Sequence, residues 1–151
     1  DSAVVVNAFE YLPVLTAYDT SSGRTVWRTT FDAFAGPRIE ERLAGSGPLL
    51  TIWRKGRFSV WLPIVPLGPD SLLVQIGEVE TIEGLDATRA VRRFLLDVRT
   101  GRAKRLPDGH AVCMAGSRNY LVSVESDPYY RLRLRQLGTG ASRPYTANRG
   151  R

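Results

Sequence analysis

The sequence has one cysteine, Cys113, and one histidine, His110, among its 151 residues. A single cysteine cannot form an internal disulfide, and a structural zinc site needs about four cysteine or histidine ligands. These counts exclude a disulfide-stapled domain and a His/Cys metal site. We expect no metal and no other cofactor in this chain.

Long hydrophobic runs are also absent. The longest apolar stretch, from Val60 to Leu67, is interrupted by Pro63 and Pro66, whereas a membrane-spanning helix needs roughly 20 apolar residues. No transmembrane helix is predicted. Because the first residue is Asp1 and not Met, we expect a processed or trimmed chain.

Lysine is scarce, and the positive charge is unevenly placed. Of the 21 basic residues 19 are arginine, and the formal charge is −4 for residues 1–87 but +10 for residues 88–151. Arginine favours planar, bidentate contacts with carboxylate or phosphate groups, although a GC-rich coding sequence explains the arginines equally well. The C-terminal part is expected to meet an acidic partner.

Alternating apolar and polar positions, typical of half-buried strands, recur along almost the whole chain. Val14–Asp19, Leu72–Gly77 and Tyr120–Glu125 are clear examples, and turn residues separate about ten such segments. Helix competes at Arg38–Leu43 and at Asp86–Leu96. We favour strand over helix at 91–98, and the predicted class is all-β.

The chain contains an internal repeat. Residues 96–102 align with residues 18–24 at an offset of 78, and a weaker copy at 135–140 follows at an offset of 39. About four short strands with their turns need roughly 40 residues, which is one blade of a β-propeller. The copy expected near residues 58–62 is missing or has moved to 54–56.

The repeated residues have a structural interpretation. Asp19 and Asp97 are expected to accept hydrogen bonds from turn amides, and Gly23 and Gly101 to adopt positive φ at equivalent hairpin turns. Trp27 is expected to be largely buried against a neighbouring sheet. The motif therefore marks a fold and binds no substrate.

Residues 17–27 resemble the A-x-D-x-x-T-G-x-x-x-W repeat of quinoprotein-like propellers, with Ser22 at the threonine position. The wider layout, over most of residues 4–137, is similar to bacterial six-bladed β-propeller proteins of the NHL-like kind. The resemblance implies antiparallel four-stranded blades, blade docking through tryptophan, and a periplasmic or extracellular location, with a cytoplasmic one as the alternative. The later repeats lack the tryptophan, since Arg105 stands at the position equivalent to Trp27.

A partial β-propeller domain is predicted for residues 1–140, followed by a basic flexible tail at 141–151. A closed six-bladed ring needs about 240 residues at roughly 40 per blade, so three to four blades are expected here and the ring is incomplete. Because open sheet edges invite association, we expect further chain, self-association or a partner subunit to complete the sheets.

Few residues suggest chemistry. A catalytic dyad of His110 and Cys113 would need an orienting third group, so no catalytic site is predicted. A cluster of carboxylates could bind calcium, but we favour a solvated acidic loop as its interpretation. The cluster consists of Glu78, Glu80, Glu83 and Asp86. Trp53 and Trp61 are expected to pack between blades.

The candidate partner-binding residues are Arg131, Arg133 and Arg135, which alternate with Leu132 and Leu134. In a strand the three guanidinium groups project from one face while the leucines pack on the other. The stripe suits an acidic protein or an anionic membrane surface, or it is merely solvated. Nucleic acid is disfavoured because no exposed aromatic side chains are interleaved with the arginines.

The functional hypothesis is a non-enzymatic propeller segment, serving as a binding or scaffold subunit of a larger, envelope-associated assembly. The alternative is a fragment of a quinoprotein-like or lyase-like propeller enzyme whose active site lies in missing blades.

Overall fold

The computed structural model describes residues 3–44, 47–53, 56–82, 85–126, 130–136 and 142–144, with backbone alone for 38–53 within these ranges and for 126, 130 and 142–144. All regular structure in this part of the chain is β-strand. Nine strand pairs have a defined register, and all nine are antiparallel. The strands are β1 Val4–Ala8, β2 Val14–Asp19, β3 Thr25–Thr30, β4 Arg38–Ala44, β5 Gly47–Trp53, β6 Gly56–Trp61, β7 Val65–Gly68, β8 Ser71–Ile82, β9 Leu85–Asp97, β10 Ala103–Gly109, β11 Val112–Gly116, β12 Tyr120–Ser126, β13 Tyr130–Gln136 and β14 Ser142–Pro144. The all-β class is confirmed, and both segments where helix competed are strands, β4 and β9.

The chain divides into two compact units. The first comprises residues 1–61 and 76–90, and the second comprises residues 62–75 and 91–151. The long strands β8 and β9 contribute residues to both units. Each unit is built from antiparallel hairpins of its own.

In the first unit, β1, β2 and β3 form a sheet in that order, β4 pairs with β5, and β6 pairs with the second half of β8. The central strand β2 is buried on both faces, because three successive residues, Leu15, Thr16 and Ala17, are all fully buried. Successive strand residues point to opposite faces, so β2 lies in the interior of this unit.

Trp61, at the end of β6, anchors the first unit. Its ring stacks on Phe34 at 4.9 Å between centroids and meets Phe31 edge to face at 5.5 Å. The indole Nε1 donates to the carbonyl oxygens of Phe9 and Leu12 at 2.9 and 3.0 Å. Trp61 is therefore a packing residue with its polar atom satisfied, whereas the side chain of Trp53 lies outside the described residues.

In the second unit, β7 pairs with the first half of β8, β9 pairs with β10, and β11 to β14 form a four-stranded antiparallel sheet in sequence order. Val65, Leu73 and Cys113 form a buried apolar cluster here. The fully buried Gln75 side chain donates to the Pro63 and Cys113 carbonyl oxygens and accepts from the Cys113 N–H, each at 2.8 Å.

In the described part of the chain, the strands group into sheets of three, two, five and four strands. Of these sheets, only β11–β14 has the number of strands predicted for one blade. Strand β14 falls inside the segment predicted as a flexible tail and pairs with β13. The boundary at residue 140 and the tail remain predictions, because most of 137–151 lies outside the described residues.

Candidate functional site

The two Asp-initiated turns have the same hydrogen bonds. Asp19 Oδ1 accepts from the Ser21 and Ser22 amides at 3.0 and 2.8 Å, and Asp97 Oδ1 accepts from the amides two and three residues ahead, both at 2.9 Å. The Gly23 and Gly101 amides donate to the carbonyl oxygens of Asp19 and Asp97. The φ angles of Gly23 and Gly101 are 67° and 69°, which confirms the predicted positive φ.

The same hydrogen bonds perturb both carboxyl groups. The pKa of Asp19 is well below its usual range, chiefly because the Ser21 hydroxyl and then the Ser22 amide donate to the carboxylate. The pKa of Asp97 is lowered mainly by the Thr100 amide. These are local turn contacts, and they stabilise the ionised form.

Of the remaining positions of the repeat, the structure describes Trp27 and Gly56 but not the weak third copy. Trp27, in β3, is 9% exposed, in agreement with the burial expected of it. Gly56, the candidate for the shifted copy, also has a positive φ of 76°. The weak copy around Gly138 and Gly140 lies outside the described residues.

The predicted arginine stripe is on β13. The register places Arg131, Arg133 and Arg135 opposite Glu125, Ser123 and Leu121 of β12, so these six residues share one face of the sheet. All three arginines are exposed. Arg133 Nε lies 2.7 Å from Glu125 Oε2.

The opposite face of this sheet is apolar and open. Leu132 and Leu134 lie opposite Val124 and Val122, and their exposed fractions are 55% and 39%. The expectation that the leucines pack is therefore wrong for the described chain. Alternation of apolar and polar residues predicts which side chains share a face of a strand. It does not predict whether another part of the fold packs on that face.

A half-open cavity of about 440 Å³ lies on the arginine side of the sheet. Its wall combines strands β9, β10, β12 and β13 with the turn between β10 and β11. The charged and titratable residues that line it are Arg93, Asp108, His110, Glu125, Arg133 and Arg135. The volume falls within the range of about 300–1,000 Å³ that small-molecule sites occupy.

Arg93 is held in a defined position at this cavity. Its Nη2 donates to the Ala111 carbonyl oxygen. Gly109 faces the guanidinium so closely that an added Cβ would lie 2.7 Å from both Nη1 and Nη2. Among the described residues, Arg93 Nε is a buried donor without an acceptor.

Cys113 belongs to the apolar cluster of the second unit. The thiol is buried, and burial raises its pKa, although the charges of Arg93 and then Arg135 act in the opposite direction. A raised pKa keeps a thiol protonated and poorly nucleophilic. His110, in contrast, lines the cavity.

Two members of the acidic cluster, Glu80 and Asp86, have ordinary partners. Glu80 accepts from Arg89 at 2.9 Å and from Arg57 at 3.4 Å, and its pKa is lowered, first by the Arg89 hydrogen bond. Asp86 accepts from the Thr81 hydroxyl at 2.7 Å. Glu83 lies outside the described residues, and in the described part no three metal-ligating side chains converge.

Arg93 and its Gly109 cradle were not predicted from the sequence. Gly109 occurs in a Pro-Asp-Gly turn signal, but nothing local indicates that a guanidinium 16 residues earlier in the chain packs on it. Gln75 was likewise assigned only to the alternation of a strand.

Comparisons with protein-family models, with curated proteins and with solved structures found no match for this chain. No helix in the described residues is long and apolar enough to cross a membrane.

Proposed function

We propose that this chain is a non-enzymatic β-propeller segment that serves as a binding or scaffold subunit of a larger, envelope-associated assembly. The observation that carries the proposal is the open apolar face of β11–β13. Leu132 and Leu134 are exposed there, and Tyr120 is 43% exposed. Contiguous apolar surface of this kind marks an interaction site in soluble proteins.

The occupant of this face is a further β-sheet of the same assembly. The described side chains on the face are uncharged: Val112, Tyr120, Val122, Val124, Leu132 and Leu134, together with Ala115 and Gln136. Sheets that pack face to face bury such apolar rows about 10 Å apart. A charged partner surface would lose hydration here without gaining ion pairs.

The repeated turn supports a blade-like occupant. The equivalent turns at Asp19 and Asp97 are separated by 78 residues, twice the predicted blade period. The four-stranded order of β11–β14 agrees with one blade. The envelope location rests on the family resemblance alone, with a cytoplasmic location as its alternative.

Site-specific photo-crosslinking in the native host tests this proposal. A photoreactive residue is placed at Leu132 on the apolar face, and a matched one at its neighbour Arg131 on the arginine face. Mass spectrometry then identifies the crosslinked peptides. We expect position 132 to crosslink a β-strand segment that lies outside residues 1–151.

Two other results would overturn the proposal. One is that position 132 captures nothing, or only the peptides that position 131 also captures, which would mean that the apolar face has no specific occupant. The other is crosslinking of position 132 to lipid or to a second copy of this chain.

The arginine stripe supports a second contact of the same subunit. Arg131, Arg133 and Arg135 are exposed on one face, and the segment that carries them has an excess of basic residues. An acidic protein surface fits this charge, with an anionic membrane as the alternative. Such contacts accelerate association more than they raise affinity.

A further inference from the structure

The cavity beside β13 has an imbalance of charge. Two of its acids are already neutralised: Glu125 by Arg133 at 2.7 Å, and Asp108 by Arg105 at 2.9 Å. Within the described part of the chain, neither Arg93 nor Arg135 has a carboxylate partner, although both line the cavity. Two guanidinium groups thus remain available to an anion.

Arg93 is also positioned in advance for such an anion. Its guanidinium lies against Gly109 and is fixed by the Ala111 carbonyl, while its buried Nε has no acceptor in the described residues. A buried donor without an acceptor is costly, and a guanidinium that is already fixed loses little further freedom when it binds an anion. A guanidinium fork matches carboxylate and phosphate oxygens in geometry as well as charge.

The two free guanidinium groups line the same cavity. Both act on the buried thiol of Cys113, where their positive charges oppose the rise in pKa caused by burial. Because both side chains line one cavity of about 440 Å³, a single small anion inside it lies in the positive field of both guanidinium groups.

We propose that this cavity binds one oxyanion group of a small molecule, a phosphate or a carboxylate, between Arg93 and Arg135. The carboxylates of Asp108 and Glu125 on the same wall disfavour an extended polyanion. The proposal does not rest on the scaffold function, because the cavity lies on the face of the sheet opposite Leu132 and Leu134.

NMR of the arginine Nε–H groups tests the site directly. The ¹⁵N-labelled chain is titrated with inorganic phosphate and, separately, with succinate, each against potassium chloride at equal ionic strength. We expect saturable shifts of the Arg93 and Arg135 resonances, and no shift of Arg99, which pairs with Asp70 at 2.9 Å elsewhere. Binding of phosphate alone identifies a phosphate ligand, and binding of succinate alone identifies a carboxylate.

Variants distinguish binding in this cavity from nonspecific attraction of anions to a positively charged protein. Arg93→Gln and Arg135→Gln are each expected to weaken binding about tenfold or more, whereas Arg131→Gln, with the same charge change outside the cavity lining, should change affinity less than twofold. Gly109→Ala removes no charge but displaces the Arg93 guanidinium, so it should match Arg93→Gln. Arg135 is exposed, and its variant is expected to fold in any case.

The proposal is overturned if neither anion gives a saturable shift above chloride. It is also overturned if Arg135→Gln and Gly109→Ala bind like the wild type, or if Arg131→Gln weakens binding as much as they do. Leu132→Asp should leave anion binding unchanged, so failure of the scaffold proposal is distinguishable from failure of this one.

Discussion

Asp19 and Asp97 show how one side chain can set a turn. Each carboxylate accepts hydrogen bonds from the amides two and three residues ahead, and a glycine with positive φ stands four residues ahead. Every contact lies within four residues of the aspartate. This part of the structure was predictable from the sequence because the physics that determines it is local.

Replacing Asp19 is expected to reduce stability through its turn. Asp19→Ala removes the acceptor of the Ser21 and Ser22 amides, so its urea midpoint at pH 7 should fall below that of the wild type. Asp19→Asn keeps a neutral acceptor and should lose less. Equal midpoints for all three proteins would contradict this role of the carboxylate.

The pH dependence of the same residue has a defined sign. The folded pKa of Asp19 is depressed, whereas the unfolded value is about 3.9. Its contribution is therefore complete above about pH 4 and is lost as the pH falls toward the folded value. Urea midpoints from pH 7 to pH 2 should converge for the wild type and Asp19→Asn; parallel curves would refute the linkage.

At the scale of elements, β13 shows where sequence reasoning stops. Its alternation correctly placed three arginines on one face and two leucines on the other. Whether another sheet packs on a given face depends on residues far away in the sequence, so the pattern of one strand does not predict it. The two leucines of β13 are in fact exposed. Strand β8 shows the reverse case, because residues 73–77 are buried on both faces despite a pattern interpreted as alternation.

Strand β3 offers a matched pair of positions. Trp27 is 9% exposed and its neighbour Val26 is 47% exposed. We expect Trp27→Ala to reduce the free energy of unfolding by about 3–5 kcal/mol, and Val26→Ala to cost less than about 1 kcal/mol. Urea denaturation measures both. Similar losses at the two positions would show that Trp27 contributes nothing specific.

The arginine stripe should make association sensitive to salt. Contacts of rim arginines are screened over about 8 Å at physiological ionic strength. Changing Arg131, Arg133 and Arg135 together to Gln should flatten the salt dependence of binding to the partner that is crosslinked from position 131, measured by titration calorimetry.

A control with an equal change of charge is available in exposed arginines elsewhere, namely Arg24, Arg28 and Arg102. Their replacement by Gln should leave most of the salt dependence. An unchanged salt slope in the β13 variant would identify the stripe as a solvated face.

At the scale of the whole molecule, the predicted regular blades and the observed sheets differ in grouping. A 39-residue period predicts equal sets of four strands, whereas the sheets formed by the described residues contain three, two, five and four strands. Strands β8 and β9, of 12 and 13 residues, contribute to both units. Turn chemistry locates hairpins, but the choice of pairing partner depends on contacts between residues far apart in sequence.

Gln75 connects distant parts of the second unit, and its removal should be severe. Gln75→Leu leaves the buried Cys113 N–H and the Cys113 carbonyl oxygen without this partner, and an unpaired buried polar group costs about 1–3 kcal/mol. The neighbouring buried Val74→Ala variant serves as an apolar control for volume loss. Urea denaturation that ranks Gln75→Leu as the milder change would contradict this role.

The Gln75 amide also has a consequence for the order of folding. The amide offers the Cys113 backbone one donor and one acceptor, as a neighbouring strand would. Gln75 and Cys113 are 38 residues apart in the sequence. The hairpins of β11–β14 close over short loops, but their attachment to β8 must wait until that longer loop is closed, at a greater entropic cost. In pulse-labelled hydrogen exchange, the Cys113 amide should therefore gain protection later than the amides that pair β12 with β13.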